Sequence, residues 1–89
     1  MTRKDRMEHT LRQALSPTLL DIVDQSAAHQ GHRGTDAQGE SHYHITVVSD
    51  VFENVNKLAR HRQVNALLKD EFDKGLHALS LTLMSPAES

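Results

Sequence analysis

The sequence predicts a small α+β domain, an α-β-β-α-β two-layer sandwich in which helices cover one face of a three-stranded mixed sheet. Apolar residues recur with a period of 3.6 in two segments and with a period of two in three others. The segments alternate in an order that lets a single sheet and two helices bury each other's apolar faces. A chain of 89 residues suffices for one modest core, so residues 1–89 are predicted to form one domain.

The first helix is predicted over residues 2–15. Thr2 and Asp5 have the spacing of a capping box, in which the two side chains accept hydrogen bonds from each other's backbone. An apolar stripe of Met, Leu and Ala follows at helical spacing. Pro17 ends the helix because proline disfavours helical backbone at the residue before it.

The next two segments, residues 19–25 and 41–49, alternate apolar and polar side chains and are predicted as the two strands of a hairpin. Residues 26–40 lie between them and contain three glycines and many small polar residues without periodicity, which predicts a long mobile loop. Loops longer than about 12 residues in compact domains tend to be functional or disordered. This loop carries His29 and His32.

An irregular turn is predicted over residues 50–56. Its Phe52 is expected to tuck under the sheet, and either Asn54 or Asn56 is expected to cap the helix that follows, because asparagine is a favoured N-cap residue.

The second helix is predicted to begin with the basic residues around Arg60 and to run to Lys74, where Gly75 is suited to the left-handed position that ends many helices. From His77 the period changes to two, which predicts the third strand with His77 at the rim of its core face. The helix is then the crossover between the second and third strands. Residues 85–89 are predicted as a frayed tail.

Composition excludes several function classes. The absence of Cys rules out disulfides, thiolate catalysis and metal sites held by the chain's own sulfur. One Tyr, two Phe and no Trp leave little aromatic surface for stacking bases, and a net charge of −2 gives no overall attraction to phosphate. No catalytic constellation is recognisable, so the protein is predicted not to be an enzyme. The charged N-terminus and the lack of a long apolar segment predict a cytoplasmic protein without membrane association.

Seven histidines are the one compositional excess, and histidine is a common metal ligand. His77 stands at the mouth of the third strand, and His29 and His32 lie on a loop that could reach it. The alternative for His77 is a rim histidine hydrogen-bonded to a nearby carbonyl. A zinc site built from all three is chemically possible, although it would leave an open position without an evident general base.

The remaining internal histidines are interpreted as structural or surface residues. His42 and His44 share the outer face of the second strand, and His42 is a possible group supporting a metal ligand. His61 lies three residues before Val64 on the apolar stripe, so it is predicted to be partly buried and hydrogen-bonded.

A second candidate site is a basic patch made of Lys57, Arg60 and Arg62, with Arg33 added from the loop. Positive charge near a helix start is unfavourable by about 0.3–1 kcal/mol for each exposed group. Such cations indicate either an anionic partner or a packing role for their long stems. Nucleic-acid binding by this patch is expected to be weak and mainly electrostatic.

Several short motifs carry a family resemblance. In chain order they are Val23-Asp24-Gln25-Ser26, His29, Gly39-Glu40-Ser41-His42-Tyr43, Val48-Ser49 with Phe52, Arg60-His61-Arg62-x-Val64, and His77-Ala78-Leu79-Ser80-Leu81. Taken together they resemble the BolA family over nearly the whole chain. One departure is Asn54 in place of the usual glycine two residues after Phe52, and asparagine tolerates left-handed backbone better than most residues.

The resemblance implies a fold related to the class II K-homology (KH) domain and partnership with a monothiol glutaredoxin around a bridged [2Fe–2S] cluster. The family's ligands carry over to His77 and to His29, with His32 as a nearby competitor. Because the chain has no Cys, the thiolates would come from glutaredoxin and glutathione. The protein alone is expected to be a monomer or a weak dimer.

The resemblance also implies a role in bacterial transcription regulation, with the helix that begins near Arg60 as the DNA-binding element. The cluster-sharing adaptor and the nucleic-acid-binding regulator are different functions, but they are not exclusive. Both could use the surface between the long loop, the start of that helix and His77.

Overall fold

The computed structural model describes residues 2–25 and 42–89 and has the predicted α-β-β-α-β order, with the second helix divided in two. The helices and strands are α1 (Arg3–Leu15), β1 (Leu19–Asp24), β2 (His42–Val48), α2 (Lys57–Leu67), α3 (Lys69–Asp73) and β3 (Ala78–Met84). The sheet has the order β1-β2-β3, in which β2 pairs antiparallel with β1 and parallel with β3. The mixed sheet is therefore confirmed. Within the described residues, every helix falls short of the length and hydropathy needed to cross a lipid bilayer.

Helix α1 begins and ends as its sequence predicts. The Thr2 hydroxyl accepts a hydrogen bond from the Asp5 N–H, and the Asp5 carboxylate accepts one from the Thr2 N–H, each at 3.1 Å. Ser16 follows the helix with left-handed backbone at φ 44°, so the helix stops before Pro17. The buried side of α1 consists of Met7, Leu11 and Leu15.

The predicted cap at Asn56 is confirmed, so the second helix begins before Arg60, whereas its predicted continuity to Lys74 is wrong. Helix α2 begins at Lys57 because the Asn56 side chain caps it, accepting a hydrogen bond from the Ala59 N–H at 2.8 Å. Asn54 does not cap the helix but adopts left-handed backbone at φ 62°. The helix is interrupted at the buried Leu68, and α3 follows as a separate short helix.

The core lies between the helices and one face of the sheet. Its buried apolar residues are Met7, Leu11, Leu15, Ile22, Tyr43, Ile45, Val47, Phe52, Val64, Leu68, Leu76 and Leu83. Leu79 and Leu81 are partly buried against this core, as are Leu67 and Phe72, so the predicted inner face of β3 is confirmed. Leu19 and Val23 remain 48% and 44% exposed, because they point to the face of the sheet that the helices leave open.

Glu71 joins the first helix to the third. It is buried, and its carboxylate accepts hydrogen bonds from Arg6 Nε at 2.8 Å and from Arg3 Nε at 3.2 Å. The Arg6 hydrogen bond is the main reason why the pKa of Glu71 is lowered. Arg3 also donates from Nη2 to the carbonyl of Lys74 at 2.8 Å. The two arginines therefore hold the end of the crossover against α1.

The C-terminal segment is ordered, so the predicted frayed tail is wrong. Ser85 is buried and begins a 3₁₀ turn over Pro86–Glu88. The Glu88 carboxylate accepts hydrogen bonds from the Ser85 N–H and from Arg60 Nη1, both at 2.7 Å. Its terminal position predicts a frayed tail, whereas the hydrogen bonds of Glu88 to Arg60 and to the Ser85 backbone anchor it.

Arg60 is the residue to which this segment is anchored. It is 5% exposed, and its guanidinium donates to three carbonyl oxygens besides Glu88. The distances are 2.7 Å from Nε to Val55, 2.9 Å from Nη1 to Leu83 and 2.8 Å from Nη2 to Phe52. The guanidinium carbon also lies 5.7 Å from the centroid of the Phe52 ring. Arg60 therefore connects the turn before α2, the end of β3 and the C-terminal turn.

The Arg60–Glu88 contact predicts a specific acid dependence of stability. The hydrogen bond from Arg60 is the main cause that lowers the pKa of Glu88 from 4.5 to about 2. A carboxylate with a lowered pKa in the folded state stabilises that state fully above its unfolded pKa and loses this contribution as the pH falls toward its folded pKa. The difference in free energy of unfolding between wild type and Glu88→Gln should therefore be constant above about pH 5 and shrink toward pH 2.

Urea denaturation at a series of pH values measures this difference, as far down as a folded baseline persists. Glu53→Gln, which removes an exposed carboxylate outside the Arg60 contact, is the matched control for loss of one negative charge. A gap between wild type and Glu88→Gln that stays unchanged down to the lowest pH would contradict the assignment.

Candidate metal centre and nucleic-acid interface

The described member of the candidate metal centre, His77, lies at the end of the sheet where β2 and β3 begin. In the parallel pair, His42 at the start of β2 lies opposite Ala78 at the start of β3. The antiparallel partner β1 ends here too, because the Gln25 N–H donates to the His42 carbonyl at 2.8 Å. His42 therefore lies beside the segment that precedes β3, and Gln25 lies on the other side of His42 at the same end of the sheet.

His77 lies at this end, immediately before β3, and its side chain is exposed. Its backbone is held on both sides, since Leu76 is buried in the core and Ala78 is the first residue of β3. The predicted rim position is therefore confirmed. The alternative of a histidine hydrogen-bonded to a neighbouring carbonyl is not observed, because the His77 ring makes no hydrogen bond to another described residue.

The His77 ring lies against the ring of His42. The two ring centroids are 5.9 Å apart and the ring planes meet at 86°, an edge-to-face arrangement. His42 is half-buried, whereas His77 is exposed. The sequence predicts His42 as a possible group supporting a metal ligand, but the contact itself depends on the parallel register, which sequence periodicity does not reveal.

Three further predicted site residues belong to the predicted loop and lie outside the described residues. They are His29, His32 and Arg33. The long loop predicted over residues 26–40 lies there as well. Their roles stay predictions.

The donors that the structure describes at this end of the sheet fit a metal centre whose other ligands come from outside the described residues. Among the described residues, no group of three or more His, Cys, Asp or Glu side chains is placed to hold a metal ion. His77 offers an imidazole nitrogen, and the chain has no thiolate to add. A neutral imidazole with partner-supplied sulfur is a ligand combination that a [2Fe–2S] cluster accepts.

The remaining described histidines of the strands and of α2 have local hydrogen bonds. Nδ1 of His61 lies 2.8 Å from the carbonyl oxygen of Lys57, as expected for a partly buried, hydrogen-bonded histidine. Nε2 of His44 lies 3.3 Å from the Thr82 hydroxyl, across the β2–β3 pair. Neither of these hydrogen bonds involves His42 or His77.

The predicted basic patch needs one correction. Lys57 and Arg62 are exposed on α2, but Arg60 is buried and its guanidinium is taken up by protein acceptors. Arg60 therefore does not belong to an exposed nucleic-acid surface. The sequence did contain a signal for this, because Arg60 stands four residues before the buried Val64 and so lies on the core side of α2.

Comparisons with known proteins agree with the fold described above. A family model described as BolA-like protein matches residues 11–88. The BolA domain of SufE1 from Arabidopsis thaliana has a solved structure that superposes with a TM-score of 0.89 at 39% identity, covering 100% of this chain and 98% of that one. This match confirms the predicted mixed α+β fold.

Two relatives add to the comparison. Protein BOLA1, chloroplastic, of Arabidopsis thaliana is 43% identical, covering 98% of this chain and 56% of its own length. The chain thus spans about half the length of that relative. The DNA-binding transcriptional regulator BolA of Escherichia coli (strain K12) is 37% identical, covering 91% of this chain and 73% of that protein. With most of its length matched by the family model and by these relatives, the chain belongs to the BolA-like protein family.

Proposed function

We propose that this protein is an adaptor that shares a [2Fe–2S] cluster with a monothiol glutaredoxin, with His77 as its strand-end ligand. The observation that supports the proposal is an exposed histidine whose backbone is held at the end of a parallel strand pair, in a chain that contains no cysteine. The chain can contribute nitrogen but no sulfur. The thiolates would come from the glutaredoxin cysteine and from glutathione.

Three properties make His77 suited to this role. Its ring is exposed, so a metal centre carried by another molecule can reach it. Its backbone lies between the buried Leu76 and the paired Ala78, and rigid support of this kind positions a ligand better than a mobile segment does. A neutral imidazole presents one free lone pair for a metal. His29 or His32 would supply the second nitrogen.

A bound cluster would supply iron that accepts mixed nitrogen and sulfur ligation, and imidazole ligands raise the reduction potential of such centres relative to thiolates. The protein's own part is to present its ring and dock the partner, so we propose no enzymatic reaction. The cytoplasmic location also stays a prediction, because the name of one relative places that relative in the chloroplast.

His77→Ala should abolish the mixed-ligand spectrum of the complex, because it removes the strand-end nitrogen ligand while leaving the buried core untouched. The measurement is anaerobic assembly with a monothiol glutaredoxin and glutathione, followed by visible absorption and circular dichroism. His9→Ala, at an exposed histidine on α1, is the matched control and should keep the spectrum. His29→Ala and His32→Ala, tested separately, should identify the second ligand, which we expect to be His29. A complex whose mixed-ligand spectrum is unchanged in His77→Ala would contradict the assignment of His77 as a cluster ligand.

A second candidate function is DNA binding in transcription regulation. It is favoured by the name of the Escherichia coli relative and by the exposed Lys57 and Arg62 on α2. Arg33 would add to the same patch. Because the net charge is −2, binding would depend on these few cations and would weaken steeply with salt.

The double variant Lys57→Ala/Arg62→Ala should lose affinity for duplex DNA in mobility-shift titrations. It should also reduce the slope of log affinity against log salt by roughly 0.9 for each lost phosphate contact. The matched control Lys4→Ala/Lys69→Ala removes two exposed charges from α1 and α3 and should have the smaller effect. Equal losses in both double variants, or no loss in either, would exclude the patch.

A further inference from the structure

We infer that His42 is a positioning residue that fixes the orientation of the His77 imidazole at the end of the sheet. The inference rests on the proposed function, since His77 is there the strand-end ligand. It goes beyond that function by giving a role to a second histidine that is not itself a ligand. The observation that carries it is the edge-to-face contact of the two rings, at 5.9 Å between centroids and 86° between planes.

His42 is the better anchored of the two residues. Its backbone is paired on both sides, with Ala78 of β3 and through its carbonyl with the Gln25 N–H at 2.8 Å. Its side chain is half-buried. A residue held in a central strand offers a fixed surface against which a neighbouring ring can rest.

His77 is the residue whose ring needs such a surface. Its backbone is held, but its side chain is exposed and makes no hydrogen bond to another described residue. An exposed ring of this kind would sample several side-chain rotamers, and ordering them on binding costs conformational entropy. Contact with the His42 ring limits that sampling before any partner arrives, which is the usual advantage of preorganisation.

A positioning role differs from ligation in its chemical requirement. For packing against His77, residue 42 needs only a flat ring whose edge or face can contact the imidazole, and Phe provides such a ring. A ligand needs a nitrogen lone pair, which Phe lacks. His42→Phe and His42→Ala therefore separate the two roles.

The first test uses the free protein and does not depend on glutaredoxin. Side-chain coupling constants and ring contacts measured by NMR report the rotamer distribution of His77. We expect one dominant rotamer in wild type and in His42→Phe, and averaged couplings in His42→Ala. The control His44→Ala, which removes the next histidine on the same face of β2 and its contact with Thr82, should leave His77 unchanged. Averaged couplings in wild type, or unaltered couplings in His42→Ala, would overturn the inference.

The second test uses the complex with glutaredoxin and glutathione. His42→Phe should keep the circular dichroism and reduction potential of wild type, whereas His42→Ala should shift both and lower the yield of the mixed complex. Loss of the spectrum in His42→Phe as complete as in His77→Ala would make His42 a ligand and overturn the positioning role. If no variant forms a mixed complex and wild type does not either, the proposed function fails, while the NMR result still decides the contact between the rings.

Discussion

Parallel pairing of β2 with β3 requires the chain to return from the end of one strand to the beginning of the next, and this return determines where the candidate site lies. Because parallel strands start at the same end of a sheet, the pairing of His42 with Ala78 sets the residue before β3 beside the start of β2. The antiparallel β1 ends there as well. An antiparallel β3 would have put His77 at the opposite end, away from His42.

The crossover is fastened at both ends by buried charged groups. Arg60 binds carbonyls of the preceding turn and of β3, while Glu71 holds α3 against α1 through Arg3 and Arg6. Burying charges is costly, so such groups contribute less net stability than their contacts suggest, but removing one partner typically costs about 3–5 kcal/mol. Their clearest effect is geometric, because several acceptors must converge on one guanidinium. Because these hydrogen bonds bury the Arg60 guanidinium, it is not available to bind phosphate at the surface.

Patterns local to one segment and the strand pairing of the mixed sheet were predictable, whereas individual side-chain contacts between distant segments were not. The capping box of Thr2 and Asp5, the alternation in the strands and the burial of Phe52 follow from neighbouring residues, and the structure contains them. The ordered C-terminal turn depends on Glu88 meeting Arg60, twenty-eight residues earlier, and no local pattern encodes that pairing. The contact of His42 with His77 likewise required the parallel register. His29, His32 and Arg33 remain predictions, since they lie outside the described residues.

The central claim, that this chain contributes histidine nitrogen to a cluster shared with glutaredoxin, is tested most directly by pulsed electron paramagnetic resonance of the reduced complex. Only the histidines of this chain would carry ¹⁵N, with glutaredoxin and glutathione at natural abundance. The account predicts strong hyperfine couplings from histidine nitrogen that change when ¹⁵N replaces ¹⁴N. In His77→Ala, the coupling from the His77 nitrogen should be absent. A spectrum indifferent to the label would mean that this chain supplies no ligand, and would contradict the claim.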